Sequence, residues 1–566
     1  MTFPKPYLLL LLFCICLSNS IFAQKTGGKL KSNDYSFEWG PDVKLKGDFP
    51  TDMLLYDNGS FFTASTNKDI LGFSTSYISK FDNKLNLVDG KVIRTKALDK
   101  KASSNKQMRL IDFGSEIYIL EKEKISSTKQ INYYLESVNK TTLEPSENKK
   151  LIFSVDYLKE SKREDDHVTI SENKENNFIA VYDQHETAKK ENVVATVSVL
   201  NAKFEKIWSK TATLPIIGKE TNDKVFHTYI DPASNFLLVA KVYKNAKKND
   251  KDVIDGKLNY DYHIYAMGPD ISNYKDISFN LDDKAVTELK LNSNKKGEVI
   301  VTGIYSDINT DKDRLGIPRG IFYASLDIAS AEIKSKNYKE FPKETYTAGM
   351  KGSKGEKALK KIEEGKKVGY TFEIRDLIPR ADGGSTMIAE EYDMQIHTSS
   401  RGPGMGIGAV SITSSSSTWE YTYKNIIIAK ISESGTFDWI TVIPKFQVTT
   451  SNHEWRTNTP ASFLLFDHKN DSYSIFFNDH KENLIPSKKA EGIQKVVNQK
   501  QSVLVNMKVD ALGNVSKKTE AVKLPKDDEK THFYPVLSFM PLGEKDIILY
   551  GTESSHDKFA RIHFDN

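Results

Sequence analysis

Short apolar runs alternate with clusters of Asn, Asp, Gly, Ser and Lys along almost the whole chain, and the runs come in pairs. Eight openings have this form: MLLYDNGSFFTAS from Met53, MRLIDFGSEIYIL from Met108, VTISENKENNFIAVY from Val168, HTYIDPASNFLLVAKVY from His227, LKLNSNKKGEVIVTGIY from Leu289, IRDLIPRADGGSTMIAEEY from Ile374, FLLFDHKNDSYSIFF from Phe463 and VLSFMPLGEKDIILYG from Val536. Each joins a strand to a second, more strongly apolar strand across a polar turn, the pattern of a hairpin. After a loop of variable length a third strand leads through another tight turn into a fourth, as in YISKFDNKLNLVDGKVI from Tyr77, VSVLNAKFEKIWSKTATL from Val197, IIIAKISESGTFDWITVI from Ile426 and LVNMKVDALGNVSKKTEAV from Leu504. The fourth strand carries Trp208 or Trp439 in two repeats and often ends near proline (Pro215, Pro444, Pro525), as outer-edge strands tolerate.

A four-stranded meander repeated with no helix between most copies predicts an all-β fold built as a radial array of sheets. A solenoid has shorter, more uniform repeats, and separate sandwiches need strands that cross between sheets, which tight hairpin turns do not permit. The last repeat is one strand short, while the strand-like YSFEWGPDVKL (Tyr35 to Leu45) has no partner nearby in sequence. Joining the two supplies the missing strand and removes an exposed edge. The chain therefore resembles the β-propeller superfamily over nearly all its length, with seven or eight four-stranded blades, eight being the number of openings. The resemblance is one of architecture. No WD dipeptide repeat, kelch signature or NHL-type pattern is present, and SESGTFDW (Ser432 to Trp439) departs from a sialidase box at Ser434 and Gly435.

Two insertions interrupt the repeat. Residues 342–369 are rich in Lys, Glu and Gly; Ser353 and Glu356 have capping-box spacing, Ala358, Leu359 and Ile362 share a face, and one short helix is expected from about Lys354 to Glu364. Residues 398–418 are rich in Gly and Ser and fit a flexible loop or a projecting hairpin.

Composition adds the compartment. Lys5, the apolar run Tyr7 to Leu17 and the small residues up to Ala23 form a secretory leader covering residues 1–23, with 24–34 as a linker and 35–566 as one propeller domain. The apolar run is shorter than the about 18 residues of a membrane span, so no span is expected after cleavage. Both cysteines, Cys14 and Cys16, lie in the leader, and Phe13 and Ile15 do not suit lipoprotein processing. The mature chain then has neither disulfides nor thiolate-bound zinc. Export to the periplasm, cell envelope or exterior follows. The formal charge of +4 on 566 residues gives no electrostatic case for nucleic acid.

The candidate chemistry lies in the loops between second and third strands, which open on one face of a propeller and follow Tyr182, Tyr243, Tyr305, Tyr392, Phe477 and Tyr550. Four contribute a histidine, His185, His397, His480 and His556, beside Asp183, Glu186, Asp393, Asp479 and Asp557. Imidazole and carboxylate together suit a metal or polar ligand, yet no short His spacing forces them together, and solvated loops carry such residues anyway. Asp307, Asn309, Asp311 and Asp313 alternate like calcium ligands, but Lys312 stands where an EF-hand needs Gly and Pro318 where it needs Glu. No cofactor is assigned; Ca2+ is the one ion this spacing brings to mind. Alternating glycines Gly402 to Gly408 precede no helix, and no Gly-x-Ser-x-Gly elbow occurs in the mature chain. The tyrosines ending the second strands, Tyr305 among them, suit either a ligand-stacking rim or ordinary packing between blades.

The expected function is an exported binding or scaffold protein for a protein or glycan ligand, without catalytic residues. A carbohydrate-active hydrolase or lyase and a structural part of an envelope assembly are the alternatives.

Overall fold

A computed structural model describes residues 27–565 apart from 33, 46–49, 58, 69–73, 94–106, 114–115, 126, 157–168, 174, 187–191, 218–223, 246–247, 249–250, 310–313, 365–370, 401–414, 452–461, 469, 486–491, 527, 540–544 and 554–555. The expected leader, residues 1–23, lies outside the described residues, as does most of the Gly/Ser-rich insertion. The fold is all-β, an eight-bladed β-propeller, and every one of the eight openings is the first hairpin of a blade. Among the described residues no helix is long and apolar enough to cross a membrane, a statement that does not bear on strands.

The chain divides into two compact units, residues 1–92 with 522–566, and residues 93–521. The second unit holds six antiparallel four-stranded sheets in simple meander order, one of them extended by a fifth strand. Its larger apolar clusters draw on two successive blades: Leu237, Val239 and Ile264 of the fourth pack with Leu289, Val301 and Phe322 of the fifth, and Ile388, Ile426 and Ile428 of the sixth with Ile475, Phe477 and Val505 of the seventh. Inner strands are thus covered on both faces. This is why they are nearly continuous apolar runs, as in Phe236 to Ala240, all buried. Each buried Phe, Leu or Val among them stabilises the fold by about 1.5–3 kcal/mol.

The turns repeat as faithfully as the strands. Asp82 takes the backbone N–H groups of Lys84 and Asn86 on one carboxylate oxygen (2.9 and 2.8 Å) and the Asn86 amide on the other (3.0 Å). Asp231 with Asn235 and Asp510 with Asn514 form the same bonds. The turn requires a left-handed residue before its last position, and Leu85 (φ 65°), Leu143 (φ 56°) and Phe204 (φ 54°) hold that position with buried side chains. Strain of about 1–3 kcal/mol is offset by placing a large apolar group in the core.

The helix expected near Lys354 spans Ser353–Glu363, but its N-cap is Gly352 and no side-chain cap bond forms, so the Ser353/Glu356 capping box is not realised. A five-residue helix, Lys343–Thr347, precedes it and sends the Tyr346 hydroxyl to the Pro318 carbonyl (2.8 Å). Ile362 buries the helix against the fifth and sixth blades.

In the first unit, Tyr35–Trp39 pairs antiparallel with His556–Phe564 and becomes the fourth strand of the last blade, as its lack of a nearby partner implied. Gly28–Lys31, within the stretch expected as a linker, adds a fifth strand outside it. One side chain pins this joint. Lys558, essentially without solvent exposure, meets Asp528 (2.5 Å) and Asp42 (2.9 Å), and Asp528 also accepts from the Trp39 indole N–H (3.1 Å). Removing one partner of a buried ion pair leaves the others uncompensated. Lys558→Ala is therefore expected to lower unfolding free energy by about 3–5 kcal/mol in urea titrations. Lys29→Ala, which removes an exposed pair with Glu38, is expected to leave it unchanged.

Candidate functional site

In blades three to six the first strands touch in succession: Thr169–Asn173 meets Lys224–Ile230, which meets Ala285–Ser293, which meets Thr371–Pro379. Alternation sends Leu289, Leu291, Phe372 and Ile374 into the blade interfaces and leaves Glu288, Lys290, Asn292, Glu373 and Arg375 on the other side. These polar groups tie strand to strand. Asn173 donates to the Ile230 carbonyl (2.8 Å), the Tyr229 hydroxyl to Asn292 (3.3 Å), Asn292 to the Leu377 carbonyl and Lys290 to the Arg375 carbonyl (2.9 Å).

Burial, and then the neighbouring Glu373 charge, pushes the Glu288 carboxyl up to about 7, with the Ile374 N–H, Lys290 and Arg375 pulling the other way. On the adjacent strand, burial and the Lys290 charge hold His227 down to about 4. The His227 Nε2 has no hydrogen-bond partner among the described residues.

A denser cluster lies on blades six and seven. Glu390, in Ser385–Ser400, is fully buried and receives Arg375 Nε (2.8 Å), Ser462 Oγ (2.6 Å) and Lys445 Nζ (2.5 Å). Lys445, equally buried, also donates to Gln447 Oε1 (2.8 Å); the Gln447 amide donates to the Asn478 carbonyl (2.8 Å). Burial lowers the Lys445 ammonium below its ordinary value, and the Glu390 charge opposes it. Both Arg375 and Lys445 stand over the Tyr423 ring at 5.6 Å. Beside them Glu391 is pushed up to about 7 by burial, against the pull of Lys424 (3.2 Å) and Asn425 (3.0 Å).

This cluster sits at the root of the longest hairpin. Ser385–Ser400 and Ser415–Ile431 stay paired to Ser400↔Ser415, with one register shift between Glu390 and Tyr392, whereas the blade's first strand stops at Thr371↔Tyr392. The projecting part is backed on its other side by Gln447–Ser451, paired from Tyr423↔Gln447 to Trp419↔Ser451. The insertion is thus a projecting hairpin, at least to Ser400 and from Ser415. One face carries Tyr392, Met394 and Ile396 opposite Tyr423, Tyr421 and Trp419; the other carries Asp393, Gln395 and His397 opposite Thr422, Glu420 and Thr418. The first face grades from buried Tyr421 and Tyr423, through half-buried Tyr392 and Trp419, to Met394 and Ile396, exposed by 38% and 55%.

The residues picked out from the sequence are spread over several blades. Asp183, His185 and Glu186 continue the second strand of blade three, paired with Thr196, Val194 and Val193; the side chains of His185 and Glu186 lie outside the described residues. Tyr305 is buried against Tyr338 at 5.9 Å. Asp307 is bound by Arg319 (2.5 Å) in extended strand, and residues 310–313 of the calcium-like series lie outside the described residues. Asp393 accepts from Gln395 (2.8 Å) and His397 lies 3.9 Å from Glu420. Buried Asp479 takes Lys518, Asn483 (2.7 Å) and the His480 N–H (2.8 Å), while His480 caps a short 3-10 turn. His556 opens the third strand of blade eight. Among the described residues no group of three or more His, Cys, Asp or Glu side chains is placed to hold a metal. The second-strand tyrosines pack as rings between strands, Tyr182 on Phe236 (5.1 Å) and Tyr550 on Phe559 (5.6 Å). Sequence reasoning passed over Arg375, Glu390, Lys445 and Tyr423; the signal within reach was the pair of glutamates closing the apolar run TMIAEEY.

No protein-family model matches the chain, and no curated protein matches it. Among solved structures it is similar to a Synechocystis apocarotenoid oxygenase (11% identity, 95% of each chain covered, TM-score 0.31). It is also similar to the polysaccharide lyase Uly1 (9% identity, 84% of this chain and 95% of that one, TM-score 0.32) and to a puromycin hydrolase (8%, 89% and 58%, TM-score 0.33). At these values the likenesses carry no argument about chemistry.

The raised Glu288 sets a sign for pH dependence. Its folded value lies above the ordinary one, so the folded state retains a proton that the unfolded state has released, and stability falls as pH rises from the ordinary carboxyl range through about 7. Glu288→Gln is expected to flatten that fall by on the order of 2 kcal/mol between pH 5 and pH 8 in denaturant titrations, leaving the part due to Glu391. A difference between variant and wild type that does not change with pH contradicts the assignment.

Proposed function

We propose that this chain is an exported, non-catalytic binding protein that takes a glycan or protein ligand on the projecting hairpin of blade six. One observation carries the reading: a face graded from buried tyrosines to exposed apolar side chains, on strands anchored by a buried charge knot. Aromatic and apolar groups standing on a rigid support give contact area at low entropic cost, which is how binding surfaces gain affinity. Arg375 and the half-buried hydroxyl of Tyr392 add polar groups at the inner end of the same face. Residues 1–23 serve as the leader in this account, and the ligand is met outside the cytoplasm.

A second reading, a carbohydrate-active hydrolase or lyase, draws on a different observation. Glu288 and Glu373 stand on touching first strands with one carboxyl raised to about 7, and carboxyls set apart in this way suit general acid work. If a panel of polysaccharides yields neither new reducing ends nor unsaturated products with the purified chain, this reading fails.

For the binding reading, a glycan array and a pull-down are expected to give hits that weaken at least about tenfold in Trp419→Ala. The hits are expected to vanish when residues 394–419 are replaced by Asn-Gly, with the unfolding midpoint of the blades retained. Unchanged binding by the shortened chain contradicts the assignment.

A further inference from the structure

Among the described residues the same hairpin has an open edge. Past Tyr392 the strand Ser385–Ser400 pairs on one side only, with Ser415–Ile431, and among the described residues nothing pairs with Asp393–Ser400 on the other. Strand edges are ordinarily guarded by lysine, proline or a bulge. The eight residues DMQIHTSS contain no lysine, arginine or proline, and the register is unbroken from Tyr392 to Ser400. Met394 and Ile396 lie exposed on this edge.

We propose that this edge pairs with the same edge of a second copy of the chain, antiparallel and two-fold symmetric about Gln395. The argument is complementarity. With Gln395 opposite itself, Asp393 faces His397 of the other copy and Met394 faces Ile396, each contact occurring twice, while Tyr392 stays paired with Thr371 of its own blade. Opposed residues in an antiparallel pair share a face, so the polar trio Asp393, Gln395 and His397 doubles on one side and the apolar pair doubles on the other. A shift of one residue sets Met394 against His397 and Gln395 against Ile396 and loses both matches. A foreign strand would need a particular sequence to satisfy both faces; a second copy supplies it automatically. Pairing at the edge leaves the hairpin faces free, so the two apolar faces become one surface. This goes beyond the ligand reading and stands or falls separately from it.

The test uses the full chain with Cys14→Ser and Cys16→Ser, so that any thiol is an introduced one. Directly opposed residues have Cα atoms about 4.5–5.5 Å apart, inside the range a disulfide spans. Gln395→Cys is therefore expected to give a covalent dimer on mild oxidation. Thr398→Cys, about 20 Å from its copy in this register, is expected to remain uncrosslinked. Sedimentation equilibrium of the cysteine-free chain is expected to show a reversible dimer, weakened at least about tenfold by Ile396→Lys. All three positions are exposed, so folding is preserved, and circular dichroism checks it. A monomer at all concentrations, a dimer indifferent to Ile396→Lys, or cross-linking at position 398 in place of 395 overturns the proposal. Capture of an extended foreign peptide at this edge by an otherwise monomeric chain overturns it too.

Discussion

Glu390 is a carboxylate buried without solvent at the end of the buried run Met387–Ala389, and Arg375, Lys445 and Ser462 converge to satisfy it. An uncompensated charge in such a place costs several kcal/mol, so its partners must arrive with good geometry. They come from three separate stretches of chain: Arg375 from the blade's first strand, Lys445 from the segment after its last strand, and Ser462 from the approach to the next blade. The carboxylate therefore fastens segments far apart in sequence at one point. Gln447 extends the fastening to the Asn478 carbonyl, beside buried Asp479 and its lysine partner Lys518.

The position of that knot explains the hairpin above it. A two-stranded ribbon standing clear of its sheet is marginal on its own. Here it has a third strand, Gln447–Ser451, that begins two residues after Lys445, and a ring, Tyr423, covered by two cations. The ribbon is thus held at its base by charge pairing and along its length by backbone pairing. Its outer portion is left to present Trp419, Met394 and Ile396. Stability and the candidate binding surface have one cause.

Local features of the sequence carried the fold. Alternation of apolar positions and the Asx residues at the turns act within a hairpin, and both survive in the structure; Asp82 with Asn86 and Asp510 with Asn514 show the same bonds far apart in the chain. The strand at Tyr35–Trp39 is legible because a sheet one strand short needs a partner. Local rules misled at the helix, where Ser353 and Glu356 had capping-box spacing but the backbone turned at Gly352 instead. The site was less legible. In the sequence Asp393 and His397 read as loop polars, though they lie on a strand edge. Asp479 proved to be a buried, fully paired group. Glu390 and Lys445 meet across a long stretch of sequence, and no spacing rule links them, because the contact exists only after the blades have stacked.

The central claim is that Glu390 holds the projecting hairpin in place. Hydrogen exchange on a Glu390→Gln variant, read peptide by peptide, tests it most directly. The account predicts lost protection in Ser385–Ser400, Ser415–Ile431 and Gln447–Ser451, with protection retained in the strands of blades three and four. Unaltered protection in the hairpin, or loss spread evenly over all blades, would contradict it.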